Sequence, residues 1–222
     1  MKKKKIIFFH PYSVFGGADL SISKLIKSCP SDFDIDFLTI SKNPKIKFYV
    51  KRKFKLIKLK SNKTIFSIFR IRDKLKNDLI NYEKVILISN QNFANILSII
   101  ACFNLKRVKT ILFERNHLSE LDNNKSLKLE LKNSILKLCI KIFYKFSDQI
   151  ITNSYESSRD LQKFINSKVL TIQNFYNFSE LKKKSKFRLE KKIKFKKNIV
   201  LNVGRFEDQK DQIILIKAFK IL

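Results

Sequence analysis

Short apolar runs rich in β-branched and aromatic residues recur along this chain, and helical spacing separates most of them. The clearest are Lys4–Phe9, Val85–Ile88, Val108–Phe113, Gln149–Thr152, Val169–Ile172 and Ile199–Val203. A run that is apolar on both faces must be covered on both sides, which is the pattern of a buried parallel strand. No hairpin signal joins consecutive runs. Strands alternating with helices therefore predict an α/β fold, a doubly wound parallel sheet with right-handed crossovers. The expected helices are Ala18–Ser28, with Leu20, Ile22, Leu25 and Ile26 inward, Ile65–Tyr82, Asn90–Phe103, Ser126–Phe146 and Tyr155–Phe164. Between the first two, Ile46–Leu59 alternates cations with apolar residues, as one or two half-exposed strands would.

Several strand ends carry residues with chemistry to offer. The first run leads into the loop His10–Gly17, where Gly16 and Gly17 either let a backbone come close to a ligand or serve a tight strand-to-helix turn. Glu114, Arg115, Asn116 and His117 follow the Val108–Phe113 strand, at the carboxyl edge where open α/β sheets bind ligands. They suit sugar hydroxyls, a phosphate or a proton in transfer, or else form a solvated loop with a local ion pair. Near the end, the run Ile199–Val203 leads through Gly204 to Arg205, Lys210 and an apolar helical stretch from Gln212. A glycine, two cations and a helix N-terminus can hold a diphosphate, although strand–Gly–helix units are common in α/β proteins. Asp34-Ile-Asp36 has metal-binding spacing, but Phe33, Ile35 and Phe37 alternate with it as in an edge strand with one polar face. No metal is expected there.

Composition bounds the partners. The chain has 222 residues, enough for one good-sized domain and a piece of another, and 44% hydrophobic content with 21 Phe supports a substantial core. A net charge of +29 would ordinarily point to nucleic acid or an anionic membrane. Here the excess is mostly Lys and comes with abundant Ile, Phe and Asn, so it reads as a general compositional lean. The basic segment from Lys182 to Lys197 has few interleaved aromatics and reads as exposed linker more readily than as a nucleic-acid site. Cys29, Cys102 and Cys139 are isolated, which predicts buried reduced thiols in a cytoplasmic protein. No apolar run is long enough to span a bilayer. The stretch Ser126–Phe146 places Leu127, Leu131, Ile135, Leu138, Ile142 and Phe146 on one stripe, with Lys128, Lys132, Lys137, Lys141 and Lys145 largely elsewhere. It fits a helix covering the sheet or one lying on an anionic membrane; any membrane contact is expected to be peripheral and electrostatic.

The wording of these segments resembles family-4 glycosyltransferases of the GT-B fold. HPYSVFGGADLSISKLI, ILFERNHLSEL, SDQIITNSYESSRDL, the VLTIQN strand and VGRFEDQKDQIILIKAF occur in the order of that family's motifs and cover essentially the whole chain. The resemblance implies a Rossmann-like N-terminal, acceptor-side domain over residues 1–178 and a basic interdomain segment over 179–197. Residues 198–222 would be the first strand, loop and helix of the donor-binding domain. It further implies retaining transfer of a hexosyl group from a nucleotide-diphosphate sugar to a polysaccharide, lipopolysaccharide or lipid-linked acceptor, without cofactor or metal. By the same resemblance Arg205, Lys210, Gly16 and Gly17 contact the donor, Arg115, Asn116 and Asp19 lie on the acceptor side, and His117 and Glu114 are catalytic. Asp19 departs from the family's usual Glu. The family's E-x7-E carboxylates lie beyond these motifs, so the chain alone is expected not to turn over a nucleotide sugar. The competing reading is a basic α/β fragment that binds polyanions or an anionic surface without catalysis.

Overall fold

The computed structural model describes residues 4–13, 16–44, 46, 50, 52–61, 63–122, 126–174, 176–186, 200–204, 206 and 211–221. The chain divides into two compact units, Met1–Phe175 and Tyr176–Leu222.

The first unit is a Rossmann-like α/β domain. Its strands are β1 (Lys4–Phe9), β2 (Phe33–Thr39), β3 (Lys55–Lys58), β4 (Lys84–Asn90), β5 (Val108–Glu114), β6 (Gln149–Thr152) and β7 (Leu170–Thr171). They form one sheet in the order β3-β2-β1-β4-β5-β6-β7, and every pairing is parallel. Between them run α1 (Gly17–Ser28), α2 (Ser67–Asn81), α3 (Asn92–Cys102), α4 (Leu127–Phe143) and α5 (Tyr155–Ile165). The strand order reverses between β1 and β4. Successive connections leave that point in opposite directions, which opens a crevice at the carboxyl ends of the two strands.

Burial follows the periodicity. Ile7, Phe9, Val85 and Leu87 pack with Ile71 and Leu75 of α2, while Ile6, Phe8, Ile35 and Phe37 pack with Ile22 and Ile26 of α1. A further cluster joins Leu112 and Ile150 to Ile140 of α4 and Leu161 of α5. One side chain expected to face inward does not: Leu20 is exposed, and its helix instead buries Ser23 beside Ile22 and Ile26.

Three expectations need correction. β2 is not an edge strand, because β3 pairs on its far side. Its polar face is a buried charge cluster: Asp36 lies 2.9 Å from Lys5 Nζ and 2.8 Å from Lys74 Nζ, and Asp34 accepts a 2.7 Å hydrogen bond from Tyr82. α4 does cover the sheet, but not with its long apolar stripe. It buries Asn133 and Ile140, with Leu136, Cys139 and Phe143 half-covered, and leaves Leu127, Leu131, Ile135, Leu138, Ile142 and Phe146 exposed. The cysteines are free thiols, partly rather than fully buried.

The second unit holds α6 (Phe178–Ser185), within the segment read as basic linker, and α7 (Gln212–Phe219). Asp211 caps α7 by accepting from the Ile214 N–H at 3.2 Å. Of the expected strand Ile199–Val203, residues 200–203 run without strand pairing and Val200, Leu201 and Val203 are exposed; Ile199 lies outside the described residues. A lone apolar run has no neighbour to complete its hydrogen-bond ladder.

Candidate functional site

At the carboxyl ends of β1 and β4, three strand ends bring polar side chains into the interior. His10 follows β1, Asn90 ends β4, and Glu114 ends β5 with Arg115 directly after it. His10 and Asn90 are fully buried and Glu114 nearly so. Arg115 Nε donates to Asn90 Oδ1 at 3.1 Å, and its guanidinium stacks over the Phe113 ring at 5.4 Å. Three buried polar atoms of this cluster have no hydrogen-bond partner: His10 Nδ1, Asn90 Nδ2 and Arg115 Nη2. A buried donor or acceptor without a partner costs about 1–3 kcal/mol. Groups in that condition at a switch point mark where a ligand's oxygens would complete the bonding.

Backbone strain sits at the same place. Gln91, next to Asn90, has φ 80° and ψ 144°, a region nearly reserved for glycine and costing about 1–3 kcal/mol. Its N–H donates to the Phe113 carbonyl at 3.2 Å, and its own carbonyl accepts from Asn95 N–H at 2.8 Å, starting α3. These bonds fix the residue against the local preference and hold the end of β4 in place.

Behind the three strand ends lies a closed polar network. Tyr144 donates to Glu114 at 2.7 Å, and Asn95 donates to Tyr144 Oη at 3.1 Å and to the Phe113 carbonyl at 3.2 Å. Ser89 Oγ donates to Asn95 Oδ1 at 2.7 Å. Glu114 also accepts from the backbone N–H groups of Arg115 at 3.1 Å and Asn116 at 3.4 Å. Burial pushes the Glu114 carboxyl up to about 7, against those hydrogen bonds, which all favour the charged form. Burial also lowers the His10 pKa; the Asp19 carboxylate opposes that shift and the Arg115 guanidinium adds to it. The net effect disfavours the charged imidazolium of His10.

The other candidate residues divide by position. Asp19 is buried and holds the β1–α1 loop: it accepts from Ser13 Oγ at 2.6 Å and Gly16 N–H at 3.1 Å, and lies 3.8 Å from His10 Nε2. Gly16 and Gly17 have no positive φ, and a Cβ on either would meet nothing within 4 Å. The turn itself therefore does not require glycine, and the space in front of both is open. His117 is half-exposed and turned to the surface, with Nδ1 2.7 Å from Ser119 Oγ and 3.5 Å from Asp160 Oδ2 of α5. Asn116 is exposed. Arg205 and Lys210 lie outside the described residues. His10, Asn90, Gln91 and Tyr144 were not singled out from sequence. For His10 the signal was available, since it directly follows an expected strand; Asn90 was expected to open the next helix, whereas it ends β4 and α3 starts at Asn92.

No family model matches the chain. An uncharacterized glycosyltransferase, MJ1059, of Methanocaldococcus jannaschii is 32% identical over 171 residues, 71% of this chain and 39% of that protein. The chain thus spans well under half of that relative's length. Among solved structures, Anabaena Alr3699/HepE in complex with UDP-glucose matches 79% of this chain and 45% of its own, with a TM-score of 0.57 at 16% identity. Phytolacca americana UGT2, complexed with UDP-2fluoro-glucose and pterostilbene, matches 84% of this chain and 57% of its own, with a TM-score of 0.57 at 11% identity. At these identities the likeness is one of fold, a Rossmann-like α/β domain.

Proposed function

We propose that this chain carries the acceptor-side domain of a glycosyltransferase, and that substrate is held at the switch point between β1 and β4. The observation that carries the reading is the group of buried, unpartnered atoms there, His10 Nδ1, Asn90 Nδ2 and Arg115 Nη2. The 32% identity to a protein named as a glycosyltransferase supports it. The reaction is retaining transfer of a hexosyl group, as in family-4 enzymes, from a nucleotide-diphosphate sugar to a polysaccharide, lipopolysaccharide or lipid-linked acceptor. The acceptor oxygen bonds to the anomeric carbon as the bond to the nucleoside diphosphate breaks; the nucleoside diphosphate leaves with that electron pair, and its leaving oxygen takes the acceptor's proton.

Within this reading Arg115 and Asn90 bind oxygens of the bound sugar or phosphate, and Asn116 borders the acceptor. The open space before Gly16 and Gly17 admits the donor, while Arg205 and Lys210 hold its diphosphate as charge-assisted partners. His10 offers its unpartnered Nδ1 to a hydroxyl, and His117 is the alternative on the outer side. Glu114 is a positioning residue, since its carboxyl binds Tyr144 and the two N–H groups that orient Arg115 and Asn116. Asp19 positions the loop. The reaction calls on no metal, and the Asp34 and Asp36 carboxylates are engaged by Tyr82, Lys5 and Lys74.

Titration calorimetry with UDP-glucose, UDP-N-acetylglucosamine and GDP-mannose tests the reading. Binding on the order of millimolar is expected for the best donor, given the entropic cost of association. Asn90→Ala, Arg115→Ala and Arg205→Ala should each weaken it about tenfold or more. Uptake only of polyanions such as heparin, with a steep salt dependence and no effect of these substitutions, would support the non-catalytic alternative.

A further inference from the structure

We infer that the outward face of α4 docks this protein onto an anionic lipid bilayer, with its apolar stripe entering the interface and its lysines at the headgroups. The inference does not depend on the sugar-transfer reading.

α4 has two apolar faces. One buries Ile140 and half-covers Leu136, Cys139 and Phe143 against the sheet. The other presents Leu127, Leu131, Ile135, Leu138, Ile142 and, in the following turn, Phe146, at exposures from 42% to 85%. At 3.6 residues per turn these six fall in an arc of about 100° on the side away from the sheet. Seventeen helical residues give the stripe a length of about 26 Å. A continuous exposed row of large aliphatic side chains is unusual on a protein that keeps its surface in water, and such rows mark interaction surfaces.

The charges beside it select the partner. Lys128 and Lys132 border the stripe on one side, and Lys137 and Lys141 on the other, with Glu130 the single acid of the helix. Lys137 is ion-paired to Asp122, and Lys141 lies over the Phe164 ring at 5.9 Å. Long lysine stems can lie along apolar surface while their ammonium groups reach anionic headgroups. A second copy of the same face would set lysine rims against each other, so an isologous dimer is disfavoured. An apolar stripe between basic margins is complementary to acyl chains beneath a negatively charged surface.

The apolar surface also continues towards the sheet edge. Leu131 and Ile135 share a groove of about 760 Å³ with Tyr12 of the β1–α1 loop, Ile65 and Phe93. A molecule lying on the bilayer along α4 would thereby have lipid next to the loop that leads to the candidate site.

The test uses the 222-residue chain and vesicles of phosphatidylcholine with or without 30% phosphatidylglycerol, scored by flotation. Binding to the anionic vesicles is expected at physiological salt. Leu131→Gln/Ile135→Gln/Leu138→Gln should weaken it about tenfold or more while leaving the melting temperature unchanged, because these side chains are already exposed. Lys128→Gln/Lys132→Gln/Lys141→Gln should weaken it more than the equal charge loss Lys182→Gln/Lys183→Gln/Lys186→Gln. Ile135→Trp, in a chain that has no tryptophan, should be quenched by brominated phosphatidylcholine in the anionic vesicles. Binding unaffected by the apolar substitutions, an unquenched Trp on bound protein, or a dimer that hides the stripe would overturn the inference; so would a preference for an acidic protein surface over the vesicles.

Discussion

Glu114 is buried at the end of β5 with Tyr144 and two backbone N–H groups as its partners, and burial still raises its pKa to about 7. Its ordinary value is 4.5, so between those two points the folded state holds a proton that the unfolded state releases. Stability should therefore fall as pH rises from about 4.5 to about 7 and change no further through this group above that. The shift corresponds to about 3 kcal/mol. Glu114→Gln removes this titration, so its stability relative to wild type should improve by a similar amount between pH 4.5 and pH 8, read from denaturant midpoints. An unchanged difference across that range would mean that the carboxyl ionises normally in the fold. Gln91 makes a second prediction of the same scale. At φ 80° a glycine is relaxed where Gln is strained, so Gln91→Gly should stabilise the domain by about 1 kcal/mol, although glycine is destabilising at ordinary positions. A fall in melting temperature would show the conformation to be unstrained.

Among the elements, α4 is the one whose two faces make opposite predictions. Ile140→Ala opens space in a cluster with Leu112, Tyr144, Ile150 and Leu161 and should cost about 2–5 kcal/mol. Leu138→Ala, on the outward stripe, should stay within about 0.5 kcal/mol. Comparable losses at the two positions in urea denaturation would contradict the orientation of the helix. Sequence periodicity located this helix but could not choose its face, because two apolar stripes satisfy the same helical period. The strands were more legible: β1, β4 and β5 are apolar on both faces and lie where the runs place them. The internal position of β2 was not legible, since strand order is set by the direction of each crossover, and its alternating Asp34 and Asp36 imitate an edge. At the site, the Glu114–His117 segment announced itself by following a strand. The convergence of His10, Asn90 and Arg115 did not, because it depends on three distant strand ends meeting.

For the molecule as a whole, a parallel sheet with one switch point has one natural crevice, and three of the five unpartnered buried side-chain atoms among the described residues gather there, beside the strained Gln91. The charge of +29 acts on a different length scale: it is spread over the surface and favours anionic partners through a field that salt screens. Among the described residues no helix is long and apolar enough to cross a membrane. The crevice and the surface charge separate under titration. Ligand held by the crevice should resist moderate salt, whereas ligand gathered by the field should be lost. The most direct measurement is a residue-resolved NMR titration of the chain with UDP-glucose, UDP-N-acetylglucosamine and GDP-mannose in 0.3 M salt. At least one donor should shift resonances concentrated at His10, Asn90, Gln91, Arg115 and Asn116. Silence at those positions with every donor, or shifts confined to the lysine-rich helix α6, would contradict it.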